Sequence, residues 1–462
     1  MSGLKLRDYL LEQGHSLVDQ SYYSLIDIWS KWYKGTVSDF HNYSVYTGEK
    51  AVRMTRARLG MAKQGCEFWA SLLWNSDCEI VVEAAPETAT AVAEALQHNR
   101  FTDRFTRLTE SAFALGTGAM VAYEKDGKPH IEYISDPHKI LPLEWQDDEI
   151  ISCAFATVNT VDGKRQLYLM IHERIEIGYR IRNEFFVMDR EGYLTPIETP
   201  EGIREEYTST TKLFAIIKPN IVNNSEDTDS PLGMSVFANS IAQLKAVDLA
   251  FDGMTVSMQI GRPRIGVGVE ATKVRLSDGS EIPVFDPNDI AFSILPAGMG
   301  PNAETLIRDM TTQYRAGEFE ASLEKALQLF GMGIGLGEKA FKWTSSSVAT
   351  ATQVISDNAQ MLRTMEKHQS QLETAVIDIV RAVLDIMQRD PRSEITVKFD
   401  DSVTRDRAAE RQRFFQYVQS GFFPMWKFLV EFEGMPELDA INLANEAREQ
   451  QSMGNSFFPP GE

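Results

Sequence analysis

The amino-acid sequence predicts an α+β chain that is mainly helical, and three observations carry this. Two apolar-periodic stretches, Met234 to Ile260 and Val348 to Met387, are too long to be strands. Short β-rich runs bounded by turn residues cluster between residues 118 and 188. A third group of strand-like runs, residues 264–295, lies between two helical stretches. A hydrophobic share of 43% and a charged share of 24% are those of an ordinary folded protein. The 462 residues leave room for about three domains of ~150 residues.

Taken in order, residues 1 to about 230 read as one α+β unit. Tyr22, Tyr23, Leu25, Ile26, Ile28, Trp29, Trp32 and Tyr33 crowd a helical segment that Lys34-Gly35 ends. Val52 to Trp74 is predicted as a second helix from the spacing of Met61, Phe68, Trp69, Leu72 and Leu73. Runs 119–123 and 130–134 flank Lys125-Asp126-Gly127, which predicts a hairpin with glycine at positive φ. Strands are also predicted at 150–157, 166–171 and 185–188.

Asn223 to Pro231 is a polar break. After it, Met234 to Ile260 is predicted as one helix of roughly 40 Å, stopped by Gly261-Arg262-Pro263. Short strands follow, with turns at Leu276-Ser277-Asp278-Gly279-Ser280 and Asp286-Pro287-Asn288-Asp289. A helix then returns over about Thr311 to Phe330, so the order is helix out, small β tip, helix back. Glycine occupies every second position from Gly331 to Gly337. From Glu338 to Asp390 there is no Gly or Pro, and the apolar stripe from Val348 to Met387 predicts roughly 60 Å of helix. One strand at 395–399, a helical region from Arg405 to about Gln451 and a loose tail complete the chain.

Lys and Arg number 46 against 66 Asp and Glu, a net charge of −20. Wide, tight hold on nucleic-acid phosphates needs Lys and Arg, so the balance argues against it and leaves a local basic patch open. Cys66, Cys78 and Cys153 show no CxxC spacing, which predicts neither a disulfide framework nor a zinc site and suits a reducing compartment. Residues 1–8 lack the apolar core of a signal peptide, and no run of 18 apolar residues exists. A soluble protein made in the cytoplasm, with no membrane contact, is the expectation.

Chemistry is sparse. None of His15, His41, His98, His130, His138, His172 and His368 forms a ligand pair at helical spacing, and His368 is expected on an exposed polar face near Glu366 and Glu373. No Gly-x-Ser-x-Gly elbow occurs. The 331–337 glycines resemble a phosphate-cradling loop only superficially, because Glu338-Lys339-Ala340 stands where Lys-Ser/Thr must follow. No catalytic residue, metal site or cofactor is expected. Gly333, Gly335 and Gly337 lead into Lys339, Lys342 and Trp343, a cationic and aromatic stretch. It reads either as a solvated turn with a buried Trp or as a mobile loop that meets phosphates.

Residues 112–119 with the hairpin after them, 140–145, 285–289, 350–358 and 399–403 follow one another in an order and spacing, from about Tyr22 to Glu446, that resembles the portal (head-to-tail connector) proteins of tailed bacteriophages, of the siphovirus-like type. The resemblance implies a portal-type fold: a wing from residues 1–230, stem helices in 231–261 and 302–330, a small β-containing clip at 262–301, and a tunnel loop at 331–347. Residues 348–400 would add a long wing helix and strand, and 401–462 a short helical crown.

It further implies a homo-oligomeric ring, usually of twelve copies, at one capsid vertex of the virion, assembled in the host cytoplasm. Double-stranded DNA would pass through its channel during packaging and ejection. The implied partners are terminase large subunit, a head-completion adaptor, and major capsid and scaffolding proteins. Arg275, Asp278, Asp286 and Asp289 are the clip residues assigned to docking, and the 333–343 residues named above to the channel. Lys339 and Lys342 would touch passing phosphates weakly, and a ring of acidic subunits discourages DNA from sticking. Two rivals stand beside this reading: a cytoplasmic nucleotide-dependent enzyme using the 331–337 loop, and a different virion structural protein. ATP binding by calorimetry separates the first, and an open channel of DNA width the second.

Overall fold

The computed structural model describes residues 4–46, 50–260, 265–268, 273–275, 277–283, 292–295, 307–309, 316–341, 359–400 and 407–455. The chain divides into two units, residues 1–347 with 357–399, and residues 348–356 with 400–462.

The first unit opens with α1 (Leu6–Glu12) and α2 (Gln20–Lys34). Asp19 caps α2 by accepting from the Ser21 amide, and Gly35 ends it in the left-handed region at φ 64°. Tyr22, Tyr23, Ile26, Trp29 and Trp32 recur at three- and four-residue steps and are buried, as their spacing predicts. Then come α3 (Ser38–His41), the strands β1 (Asn42–Tyr46) and β2 (Ala51–Thr55), and α4 (Met61–Leu73). The helix predicted over Val52 to Trp74 therefore forms only from Met61, its first part being strand to Thr55 and an irregular strap over 56–60. Residues 51–55 pair antiparallel with 42–46, and Gly60 at φ 72° turns the chain just before the helical spacing begins at Met61.

After β3 (Glu79–Glu83), α5 (Pro86–His98) and α6 (Phe101–Leu115) comes the predicted hairpin, β4 (Gly118–Lys125) and β5 (Lys128–Ile134). Asp126 and Gly127 both have positive φ, 52° and 73°, the two-residue turn whose twist matches the strands. β6 (Ile140–Gln146), β7 (Glu149–Val161), β8 (Lys164–Arg174), β9 (Tyr179–Met188), β10 (Leu194–Ile197) and β11 (Glu206–Ser209) form an antiparallel sheet. Its order is β10-β9-β8-β7-β6, with β11 also on β9, while β12 (Phe214–Ile217) joins the hairpin as β12-β4-β5.

The stretch from Met234 is not helical at its start. Met234, Val236 and Phe237 are buried in a non-helical segment that ends in a turn, its Val236 amide donating to Phe113 O (2.9 Å), and α7 (Ile241–Ile260) begins only after a 3₁₀ turn. The β tip holds β13 (Ile265–Gly268), β14 (Lys273–Arg275), β15 (Glu281–Pro283), β16 (Phe292–Leu295) and β17 (Ile307–Asp309), the last unforeseen. β14 and β15 make a hairpin; β13 pairs parallel with β16 and antiparallel with β17. α8 (Ala316–Gly333) returns, its predicted start at 311–315 lying outside the described residues.

α9 (Ala359–Ile386) is the described part of the long helix; residues 348–358 lie outside it. Met361, Met365, His368, Leu372, Val376, Ile379 and Val383 line its buried face, against β12 and β4. His368 is thus not on an exposed face: it is 2% exposed, because it continues the 361–365–368–372 stripe. β18 (Glu394–Lys398) pairs with β3. In the second unit, the single helical region predicted is three helices, α10 (Arg407–Gln419), α11 (Met425–Glu433) and α12 (Glu437–Asn455). Gly421-Phe422-Phe423-Pro424 and Gly434-Met435-Pro436 separate them. Rings of Phe414, Phe423, Phe428 and Phe432 meet at their centre.

Candidate functional site: the paired helices, the β tip and the glycine run

α7 and α8 run antiparallel, with Gly333 against Ser240 near one end and Gly253 against Phe319 further along. Within α7 only Lys245, Asp248 and Asp252 are charged, and none of the eight residues after Asp252 is. Leu323, Ala326, Leu327 and Phe330 of α8 are buried, with Leu244 and Val247 of α7. A further apolar set stays in solvent within one chain: Leu249 is 48% and Met258 50% exposed on α7, and Leu329 and Met332 are exposed on α8. A helix this poor in charge on its open side suits contact with other copies.

A polar clamp fastens the pair to the N-terminal part. Asp248 is buried, and its Oδ1 accepts from the Leu59 amide at 2.9 Å while Oδ2 faces His41 Nε2 at 2.9 Å. His41 Nδ1 faces Val37 O at 2.9 Å. One helical turn on, Asp252 accepts from the Ala57 amide at 2.8 Å. The two carboxylates at i, i+4 on one helix face thus satisfy the backbone of an otherwise irregular strap, residues 56–60. Nothing in the sequence signals this clamp, since His41 and Asp248 stand 207 residues apart.

The glycine run closes α8 rather than forming an open loop. Gly331, Met332 and Gly333 complete the helix, and Ile334 N, Gly335 N and Gly337 N donate to Phe330 O, Met332 O and Gly331 O at 3.0, 3.2 and 3.1 Å. Ile334 and Leu336 are buried, and Trp69 Nε1 donates to Ile334 O at 3.0 Å. Gly331 is glycine because Gly337 O sits where its Cβ would be, and Gly337 because its φ is 86°. The Phe330 and Phe341 rings stack with centroids 6.0 Å apart. Residues 331–341 are thus a packed turn, with Ile334 and Leu336 inside it.

This geometry also bears on the nucleotide rival. A phosphate cradle lies at the positive N-terminal end of a helix with its amides open. Here the glycines form and follow a helix C-terminus, which carries the partial negative charge, and three of the run's amides are already bonded internally.

Of the remaining predicted site residues, Gly333 is exposed, and Gly335, Gly337 and Lys339 are half-buried in the turns that follow α8. Lys342 and Trp343 lie outside the described residues. On the β tip, Arg275 ends β14 opposite Glu281 of β15. Asp278 is in the turn between them, where its Oδ1 accepts from Ser280 N (2.9 Å) and Ser280 Oγ (2.6 Å). Those bonds hold its carboxyl below the usual carboxylate range. Asp286 and Asp289 lie outside the described residues. Tip and glycine run are at opposite ends of the helix pair, so the described members of the two predicted groups lie apart. Among the described residues no cluster of three or more His, Cys, Asp or Glu is arranged to hold a metal ion, and no helix is long and apolar enough to cross a membrane.

Compared with known proteins, residues 18–452 match the family described as "Phage portal protein, SPP1 Gp6-like". Among solved structures, the chain is similar to one from the virion of a native gene transfer agent particle. Identity is 12%, coverage 93% of this chain and 98% of that chain, and the TM-score 0.45. The neck of an empty particle, computed with C6 symmetry, gives the same values. The neck of a native particle, computed with C12 symmetry, has 13% identity over 82% of this chain and 91% of that one, at a TM-score of 0.43. No curated protein matches the chain.

Proposed function

Because the chain belongs to the phage portal protein family of the SPP1 Gp6-like type, it is a structural protein of the capsid vertex and not an enzyme, and we propose that it acts as a ring through which double-stranded DNA is packaged and ejected. The observation that carries the ring is the α7–α8 pair. Its uncharged, solvent-facing apolar positions need cover that one chain does not supply. A head-to-tail contact repeated around an axis gives a ring where its rotation closes and a filament where it does not, and the ring is the form this reading takes.

In this reading the ring has twelve copies, residues 231–261 and 302–330 make its stem, and 262–301 make the clip on which terminase large subunit and a head-completion adaptor dock. Arg275, Asp278, Asp286 and Asp289 are its docking candidates. Residues 1–230 and 348–400 form the wing, 401–462 the crown, toward the capsid and scaffolding proteins. Assembly takes place in the host cytoplasm. The tunnel loop, 331–347, meets DNA through its last part. The packed glycine run then serves as a fixed collar from which Lys339 and Lys342 approach phosphates weakly.

Negative-stain electron microscopy of the purified chain tests the ring: an open channel of DNA width supports it, and dispersed monomers overturn it. Charge reversal at Lys339 and Lys342 together should lower packaged DNA while rings still form. Normal packaging in that double variant would remove the phosphate contact from the reading.

A further inference from the structure

α7 and α8 each turn one uncovered face outward, and the two faces differ in chemistry. Ala242, Lys245, Ala246 and Leu249 are all exposed on α7 and recur at i, i+3, i+4 and i+7, so they share one side of the helix. Lys245 is the only charge there. Asp248 and Asp252, the acids of α7, are turned to the 56–60 strap and bonded to it. Among the described residues no carboxylate pairs with Lys245, whose Nζ lies 5.9 Å from the centre of the Phe40 ring.

The open face of α8 is acidic instead. From Glu318 to Lys325 the helix holds three carboxylates and one lysine. Ala321, Glu324, Lys325 and Met332 are exposed on its outward face, with Glu324 on one flank and exposed Leu329 on the other. Gln328 lies between these flanks: its side-chain amide donates to Glu324 Oε1, and its Oε1 accepts from Lys325 Nζ, both at 3.4 Å. This face cannot meet the α7 of its own chain. Phe319 and Gly333, which lie against Gly253 and Ser240 of α7, are on the opposite side of α8, with buried Leu323 and Phe330.

Those two glycine contacts also fix the levels of the antiparallel pair. At about 1.5 Å per residue, Lys245 is level with Gln328 and one turn from Glu324, Ala242 is nearly level with Met332, and Ala246 is within half a turn of Leu329. Leu249 is level with the turn that holds Ala321 and Glu324. A second copy carried round an axis along the pair keeps these levels. Because the helices run in opposite directions, a contact of α7 with α8 sets Lys245 and Glu324 on one flank, and Ala246 and Leu329 on the other. Lys325 falls on the Leu329 side, away from Lys245. Large side chains then meet small ones, and the one cation of α7's face meets a carboxylate. We propose that the exposed face of α7 packs on the exposed face of α8 in the next copy, with Lys245 paired to Glu324. This contact rests on the ring reading, though its test can fail alone.

The test is charge reversal with rescue in the full chain. Lys245→Glu and Glu324→Lys, each alone, should lower the share of rings in micrographs at low salt by about tenfold, since like charges then face each other in every contact. Both changes in one chain should restore rings to near the unaltered level. Circular-dichroism melts of all three variants should stay unchanged, because both side chains are exposed. A cysteine pair, Ala246→Cys with Leu329→Cys, should on oxidation give a ladder of linked copies that neither cysteine gives alone. Normal rings from both single variants overturn the proposal, as does a double variant no better than either, or a missing ladder. If the unaltered protein makes no rings, the ring reading falls. The contact falls with it only where the ladder is missing too, which leaves this face to a different protein.

Discussion

The crossing of Gly116 and Gly233 makes a sharp demand on sequence, and Gly116→Ala tests it. Gly116 ends α6 at φ 90°, ψ −33°, a conformation side chains rarely adopt, which costs alanine ~1–3 kcal/mol. A Cβ there would overlap Gly233 O outright and lie 2.7 Å from the Gly233 carbonyl carbon. The Gly233 backbone cannot give way freely. Its amide donates to Thr117 Oγ1 (2.9 Å), and the Tyr22 hydroxyl donates to Leu232 O and Gly233 O at 2.9 and 3.0 Å, all buried. Three residues on, Val236 N donates to Phe113 O. Relief of the overlap needs a shift of about 1 Å, which breaks at least one buried bond at ~1–3 kcal/mol. The sum is roughly 2–6 kcal/mol, whose upper part is reached only by severe lesions. Gly127→Ala is the control. Its φ of 73° carries only the backbone strain, ~1–2 kcal/mol, because nothing lies within 4 Å of the added methyl. Denaturant titration followed by tryptophan fluorescence compares the two. Since residues 230–240 lead directly into α7, Gly116→Ala should also lower ring formation in micrographs. A loss of stability no larger than that of Gly127→Ala would refute the reasoning.

The clamp and the buried histidines give two further tests. Asp248→Ala orphans the Leu59 amide and removes the partner of His41, so a loss of about 2–3 kcal/mol is expected, measured by denaturant titration; a double-mutant cycle with His41→Ala should return a coupling above ~1 kcal/mol. Acid should destabilise the first unit through His368 and His172, whose pKa values burial lowers to about 4 and about 3. The unfolded chain binds these protons near pH ~6.5 and the folded chain does not. Stability is therefore full above that pH and falls as pH drops toward 4, by about 3 kcal/mol for His368 alone. His368 Nδ1 accepts from the Asn220 amide at 3.0 Å, which only the unprotonated nitrogen can do. Melting curves between pH 7 and 4 check this, and His368→Gln should flatten that part of the pH profile.

How much of this was legible depends on whether the physics is local. The β4–β5 hairpin was readable because Asp126-Gly127 can adopt the paired positive φ values the turn needs. α2 was readable because its aromatic face and Gly35 lie within fifteen residues of each other. The β1–β2 ribbon was not, because a ribbon exposed on both faces has no burial alternation to print on its sequence. The glycine run was ambiguous for a different reason. Alternating glycine left a solvated turn and a mobile loop both open, whereas the residues between, Met332, Ile334 and Leu336, form an apolar alternation whose last two members are buried. His368 was misread from its charged neighbours, although its place three residues after Met365 and four before Leu372 put it on the apolar stripe. The clamp of His41 and Asp248 leaves no such trace. Each residue's own surroundings fit an ordinary surface, and only the folded chain brings the carboxylate to the strap. Periodicity reports which side of an element is buried. It cannot report which distant backbone amide needs an acceptor, and the features that tie this chain's helix pair to its N-terminal part are of that second kind.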